Sequence, residues 1–234
     1  MYSKETIKNV ITKLNTAIHS YDHTDVKNIK LAISHGNKKI GKVMNVSIAP
    51  IITCGNHCKE CKCFCYDIKA VNMYPSCLDA RARNTAILLK DREEYFNRIE
   101  NAINRRKKNK FFRWHVAGEI IDINYFSHMV EIAKRHPDFI FWTYTKNYTV
   151  VNAYCDQFGR ENIPNNFHIM FSKWDGKPLV NPYNFPVFAC KLKNGNKDND
   201  FDFSKAMKCP GNCDICKEHK IGCIGGMNTY AIEH

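Results

Sequence analysis

Nine of the twelve cysteines in this 234-residue chain fall in two short stretches, and that crowding restricts the fold more than any other feature. Cys54, Cys58, Cys61, Cys63 and Cys65 lie within twelve positions, and Cys209, Cys213, Cys216 and Cys223 within fifteen. Thiols this close suit a metal, which collects several thiolates from one loop, better than cross-links that close long loops. The compartment argues the same way. Met1 to Leu14 carries charge every few residues and has no apolar core of a secretory signal, and no later apolar run approaches membrane-spanning length. The expectation is a cytoplasmic chain with no membrane partner, in a reducing environment where a disulfide framework is not expected.

The segments around the clusters alternate in type. Thr6 to Tyr21 spaces Ile7, Val10, Ile11, Leu14, Ala17 and Ile18 as one face of a helix. Val43 to Thr53 is β-branched and apolar, which predicts a strand running straight into the first cysteine loop. A long helix is predicted over Leu78 to Arg106, a strand over Phe111 to Ala117, and a helix over Tyr125 to His136 that Pro137 stops. Strand, helix and strand follow at Phe139 to Thr145, Val150 to Phe158 and Phe167 to Ser172, with a short strand at Pro186 to Leu192. Repeated βα alternation implies a mostly parallel sheet. A closed eight-unit barrel typically needs about 250 residues. With five strands countable, the expected class is α/β, a partial (open) β/α barrel over residues 1–195 with an N-terminal helix and the cysteine loop. The polar loop Lys193 to Asp200 then leads to a cysteine-rich, metal-binding appendage over 196–234.

Cys54-Gly-Asn-His-Cys58-Lys-Glu-Cys61 offers three thiolates on one loop, enough for three irons of a [4Fe-4S] cluster with the fourth iron open. Cys63 and Cys65 add further thiols, so the ligand set stays open, and His57 reads as a solvated imidazole. Cys209, Cys213, Cys216 and Cys223 form a four-thiolate set, with Gly211 and Gly222 permitting the turns that gather it. Four ligands complete a site, which makes it structural or electron-transferring, and zinc and [4Fe-4S] both fit. Cys77, Cys155 and Cys190 stand alone and read as core. Arg113, His115, Tyr144, Lys146, Ser172 and Lys173 lie on or just after strands, where barrel residues point toward a catalytic mouth.

The cysteine triad after one strand, followed by Gly118-Glu119 after the next, resembles the radical S-adenosylmethionine (radical SAM) enzymes. That resemblance implies an open iron that binds the cofactor S-adenosylmethionine, with Gly118 and Glu119 meeting its amino group. It also implies one-electron chemistry on a substrate the sequence does not identify, fed by an electron donor. Ala117 stands where that superfamily has the first glycine of its Gly-Gly-Glu segment. A narrower resemblance is to a phage family named for gene product 88. It rests on Thr53-Cys54, Cys61, Cys65-Tyr66, Lys69-Ala70, Tyr74-Pro75, Arg83-Asn84, Phe112-Arg113-Trp114-His115, Gly118-Glu119, Tyr144-Thr145-Lys146 and the terminal cysteines. Its pattern, Cys-x6-Cys-x3-Cys, implies Cys54, Cys61 and Cys65 as ligands in place of Cys54, Cys58 and Cys61. It usually carries Asp where this chain has Glu119.

The net charge of +12 is compatible with an anionic partner such as nucleic acid, although the densest basic run, Arg105 to Lys110, reads as a solvated helix end. The alternative to an enzyme is therefore a non-catalytic, zinc- or iron-sulfur-stabilised nucleic-acid-binding or redox protein.

Overall fold

A computed structural model of the chain describes residues 2–38, 40–55, 61–174, 177–196 and 200–233. The chain divides into two compact units. The first takes residues 1–34, 45–108 and 115–119, and the second 35–44, 109–114 and 120–234.

The first unit is mainly helical. α1 (Lys4–His19) starts where Ser3 Oγ accepts the Thr6 N–H at 3.1 Å, and it buries Val10, Leu14 and Ile18, the stripe its spacing predicts. α2 (Tyr66–Met73) precedes α3 (Pro75–Lys90), which packs against α1 and against α4 (Arg92–Asn104). The helix expected over Leu78 to Arg106 is thus two. Asp91 is extended at φ −152° and ψ 97°, ends α3, and caps α4 by accepting the Glu94 N–H at 2.9 Å. A bidentate pair, Arg81 Nε and Nη2 to Asp67 Oδ2 and Oδ1 at 3.2 and 3.0 Å, joins α3 to α2 around a carboxylate that is 2% exposed.

The sheet has seven parallel strands and does not close, and its strands follow chain order except that the seventh lies between the fifth and the sixth. β1 (Met44–Val46) is much shorter than the predicted Val43 to Thr53. The apolar run continues past it as buried loop through Ile48, Ala49 and Ile51, and Ile51 takes φ +67°, which no strand residue adopts.

The second unit holds β2 (Phe111–Trp114), α5 (Ile123–Arg135), β3 (Ile140–Thr145), α6 (Tyr148–Phe158), β4 (Phe167–Ser172), β5 (Val187–Lys191), β6 (Met207–Lys208), α7 (Cys213–His219) and β7 (Thr229–Ile232). Register aligns Phe112 with Phe141 and Phe141 with Phe167. These rings lie 5.9 and 6.4 Å apart on one face of the sheet. α5 meets them there through Phe126, 6.1 Å from Phe167 and 5.0 Å from Tyr154 of α6. Alternation sends Trp142 and Met170 to the other face, where the C-terminal cysteine segment packs on them through Cys216, Cys223 and Ile224. Helices therefore cover one side of the sheet and the cysteine segment the other. β6 and β7, which the sequence did not reveal, pair in parallel with each other, and β7 pairs with β5. Segments on both sides of residue 195 thus contribute to one sheet.

Candidate metal centre

The first cysteine loop begins at Cys54, eight residues beyond the end of β1. A turn over 51–54 carries Cys54, held by its N–H to the Ile51 carbonyl at 3.3 Å and by Thr53 Oγ1 donating to the Ala49 carbonyl at 2.7 Å. Cys58 and His57 lie outside the described residues. Cys61 opens a 3-10 turn over Lys62–Phe64, and Cys65 stands at the N-terminus of α2. Burial pushes the Cys65 thiol up, and the Asp67 and Ile68 backbone amides at the helix start pull it back toward the thiolate, as oriented N–H groups do. Cys61 is close enough to raise it further. Cys63 holds the chain's second residue, its carbonyl accepting the Tyr2 N–H at 2.8 Å.

Gly118 and Glu119 meet the segment that leads from β1 into this loop. Ile48 N–H donates to the Ala117 carbonyl and Ala117 N–H to Ser47 Oγ, each at 3.1 Å. Gly118 takes φ +92°, and a Cβ there would stand 2.3 Å from Ile48 Cγ1, so only glycine fits. Glu119 is buried at 3% exposure. The residues expected to meet a cofactor thus sit beside the strand exit that feeds Cys54.

The C-terminal set is built from β6, α7 and β7. Cys209 extends β6, donating its N–H to the Tyr230 carbonyl at 2.7 Å. Asn212 caps α7 through the Asp214 N–H at 2.9 Å, which places Cys213 and Cys216 one turn apart on one face. Lys220 ends α7 in the left-handed region at φ +50°, and Gly222 at φ +60° turns the chain so that Cys223 enters the core. Cys216 and Cys223 are each 8% exposed, and all four thiols interact electrostatically. Burial first, and then its three cysteine neighbours, push Cys216 up to about 11. Burial likewise raises Cys223, against hydrogen bonds from the Tyr144 and Thr229 hydroxyls that favour its thiolate.

Among the described residues, no three His, Cys, Asp or Glu side chains stand close enough together to hold a metal as placed. Two observations nevertheless fit the C-terminal donor set to one. Gly222 takes φ +60°, which L side chains rarely adopt, and it lies against the sulfurs, since a Cβ there would touch Cys216 Sγ and Met207 Sδ at 3.4 Å each. Arg113 buries an Nε with no hydrogen-bond partner among the described residues, and its charge favours the thiolate forms of Cys213 and Cys223.

The remaining candidates divide. Arg113 and Tyr144 lie against the C-terminal thiols, with the guanidinium 4.8 Å from the Tyr144 ring. Ser172 accepts the Tyr148 hydroxyl at its carbonyl, 2.5 Å away, and Lys146 lies 5.6 Å from the Trp174 ring. Lys173 is 5% exposed at its side chain and pairs with Asp200 at 2.8 Å. His115 is buried at φ +52°. Of the lone cysteines, Cys155 is fully in the core, and Cys77 and Cys190 are half-buried. Thr229, a donor to Cys223, carries no sequence signal beyond the strand it belongs to.

A family model described as gene product 88 matches residues 21–223. The chain belongs to the gene product 88 family. The match spans the first cysteine loop, Gly118-Glu119 and the C-terminal cysteines, and it supports a phage protein. No curated protein and no solved structure matches the chain. No helix among the described residues is long and apolar enough to cross a membrane.

Proposed function

We propose that this member of the gene product 88 family is an iron-sulfur protein of the radical SAM type. In this reading Cys54, Cys61 and Cys65 hold a [4Fe-4S] cluster with one open iron, Gly118 and Glu119 meet S-adenosylmethionine, and Cys209, Cys213, Cys216 and Cys223 hold a closed second centre. One observation carries it: the segment 47–49, leaving β1 toward the cysteine loop, is hydrogen-bonded to the segment carrying Gly118. Loops at the C-terminal ends of parallel strands are where α/β folds build their sites, and here the segment that leaves β1 and the segment that carries Gly118 are joined by two hydrogen bonds.

The chemistry such a cluster supplies when bound is one-electron reduction of a sulfonium. The protein's own part is positional. Glu119, drawn out of water, offers its charge to an ammonium group, and Gly118, whose missing Cβ makes room for Ile48, keeps its segment packed on the one that leads to Cys54. The α2 amides favour Cys65 as thiolate, the form that binds iron.

The test is anaerobic purification with iron, sulfide and zinc quantified, then reduction with S-adenosylmethionine present. Release of 5′-deoxyadenosine, abolished in Cys61→Ser and lowered about tenfold or more in Glu119→Gln, is the expected result. A fully loaded cluster that releases none overturns the radical chemistry. Stoichiometric zinc without iron, with salt-sensitive nucleic-acid binding, would replace this reading by a zinc-stabilised binding module, to which the charge of +12 is suited.

A further inference from the structure

We infer that the outward side of α2, with the groove between α2 and α1, is a binding surface for single-stranded nucleic acid, independent of which metal the first cysteine loop holds. Asp67, Ile68 and Val71 are the buried side of α2, and Arg81 matches the Asp67 charge inside. Helical spacing puts Tyr66, Lys69 and Met73 together on the opposite side. A helix on the surface of a soluble domain carries polar residues there, yet Tyr66 and Met73 are each more than half exposed. Phe64 before α2 and Tyr74 after it are more than half exposed as well. Four large apolar side chains left in water between positions 64 and 74 mark a surface built to be covered.

Charge selects the partner. An open groove of about 370 Å³ between α1 and α2 is lined by Thr6, Asn9, Thr12, Lys13 and Asn72, which offer hydroxyls, amides and an ammonium group and no carboxylate. Lys13 Nζ donates to Asn72 Oδ1 at 3.1 Å, which brings its charge to the edge of the exposed side of α2. α1 packs on both α2 and the 3-10 turn over Lys62–Phe64. Together these three elements carry Lys4, Lys8, Lys13, Lys62 and Lys69, against Glu5 as their one carboxylate that Arg81 does not match. A second copy of the chain would set the same cations against each other, whereas a polyanion neutralises them. The order of groups suits a nucleic-acid strand in particular. Tyr66, Lys69 and Met73 follow one another at about 4.5 and 6 Å along the helix axis, so a ring, a cation and a polarisable thioether come in succession, as bases and phosphates do along a strand. A duplex keeps its base faces stacked inside, out of reach of the Tyr66 ring, and a single strand offers them.

The experiment measures fluorescence anisotropy of labelled oligothymidylate and oligouridylate, each of about 20 nucleotides, with the full-length protein, against a DNA duplex of equal length. The single strands should bind more tightly than the duplex, and their affinity should fall steeply with salt. Tyr66→Ala should weaken binding roughly 5–100-fold, while Tyr66→Phe, which keeps the ring, should change it little. Lys69→Met should weaken it and lower the slope of log affinity against log salt by about 0.7, the share of one phosphate. Iron and zinc are quantified in every variant, because Tyr66 follows Cys65. Should Tyr66→Ala lose metal or fail to fold, Lys69→Met, one turn further along α2, decides. No binding of either oligonucleotide overturns the inference, including the case in which Tyr66→Ala instead abolishes self-association. Equal affinity for the duplex, or binding that both substitutions leave unchanged, overturns it as well. None of these results bears on the release of 5′-deoxyadenosine, so the two readings fail separately.

Discussion

Asn84 is 1% exposed and spends every polar atom of its side chain on backbone. Nδ2 donates to the Ala32 and Ser47 carbonyls at 2.9 and 2.8 Å, and Oδ1 accepts the Ala32 N–H at 2.8 Å. It ties α3 to the segment beyond β1, next to the residues that lead to Cys54. Asn84→Ala leaves two carbonyls and an amide buried without partners, which should cost roughly 3 kcal/mol. Urea denaturation measures it, and a loss below about 1 kcal/mol would mean that water replaces the side chain. The sequence marked Asn84 only as part of a family motif, because a polar residue in a helical pattern carries no sign of what it bonds. Arg113 and Tyr144 show the same blindness. Their strands were legible, but which face each residue took, and that thiols cover that face, depends on pairing between segments some 100 residues apart.

At the scale of elements, legibility follows the strength and length of the pattern. β4 has the predicted bounds and β3 differs by one residue, because both are aromatic and β-branched runs with turn residues on either side. β1 was overread because buried apolar loop and buried strand have the same composition. The α3 and α4 pair was fused because apolar spacing continues through Asp91, whose cap function is set by its dihedral angles. α7 and β6 were too short to leave a period. α6 shows a further consequence of burial: Cys155 is 3% exposed, and desolvation holds its thiol up to about 11, against an ordinary 9. Folding thus favours the protonated thiol. The stability this contributes is present in full below about pH 9 and is lost as pH rises toward 11. Between pH 8 and 10.5, Cys155→Ala should lose less of its unfolding free energy than the wild type does, although it starts lower. Equal losses would place the alkaline sensitivity elsewhere.

At the scale of the whole molecule, the two cysteine groups differ in what depends on them. The first lies in a loop whose neighbours are held by Asn84 and Thr85, the latter through the Ala49 N–H at 2.8 Å. The second is continuous with the buried layer on one side of the sheet. If the C-terminal centre is metal-filled, removing the metal anaerobically should raise amide exchange over residues 207–232 well before α1 loosens, because there the bound metal would contribute directly to packing. Uniform loss of protection across the chain would contradict this. The strand order adds a matter of timing. β7 lies between β5 and β6, so it is synthesised after both strands it pairs with, and each has an unsatisfied edge until it arrives. All four C-terminal cysteines leave the ribosome before the strand that closes over them. A nascent chain of this protein therefore presents open thiols and an open sheet edge together until β7 pairs.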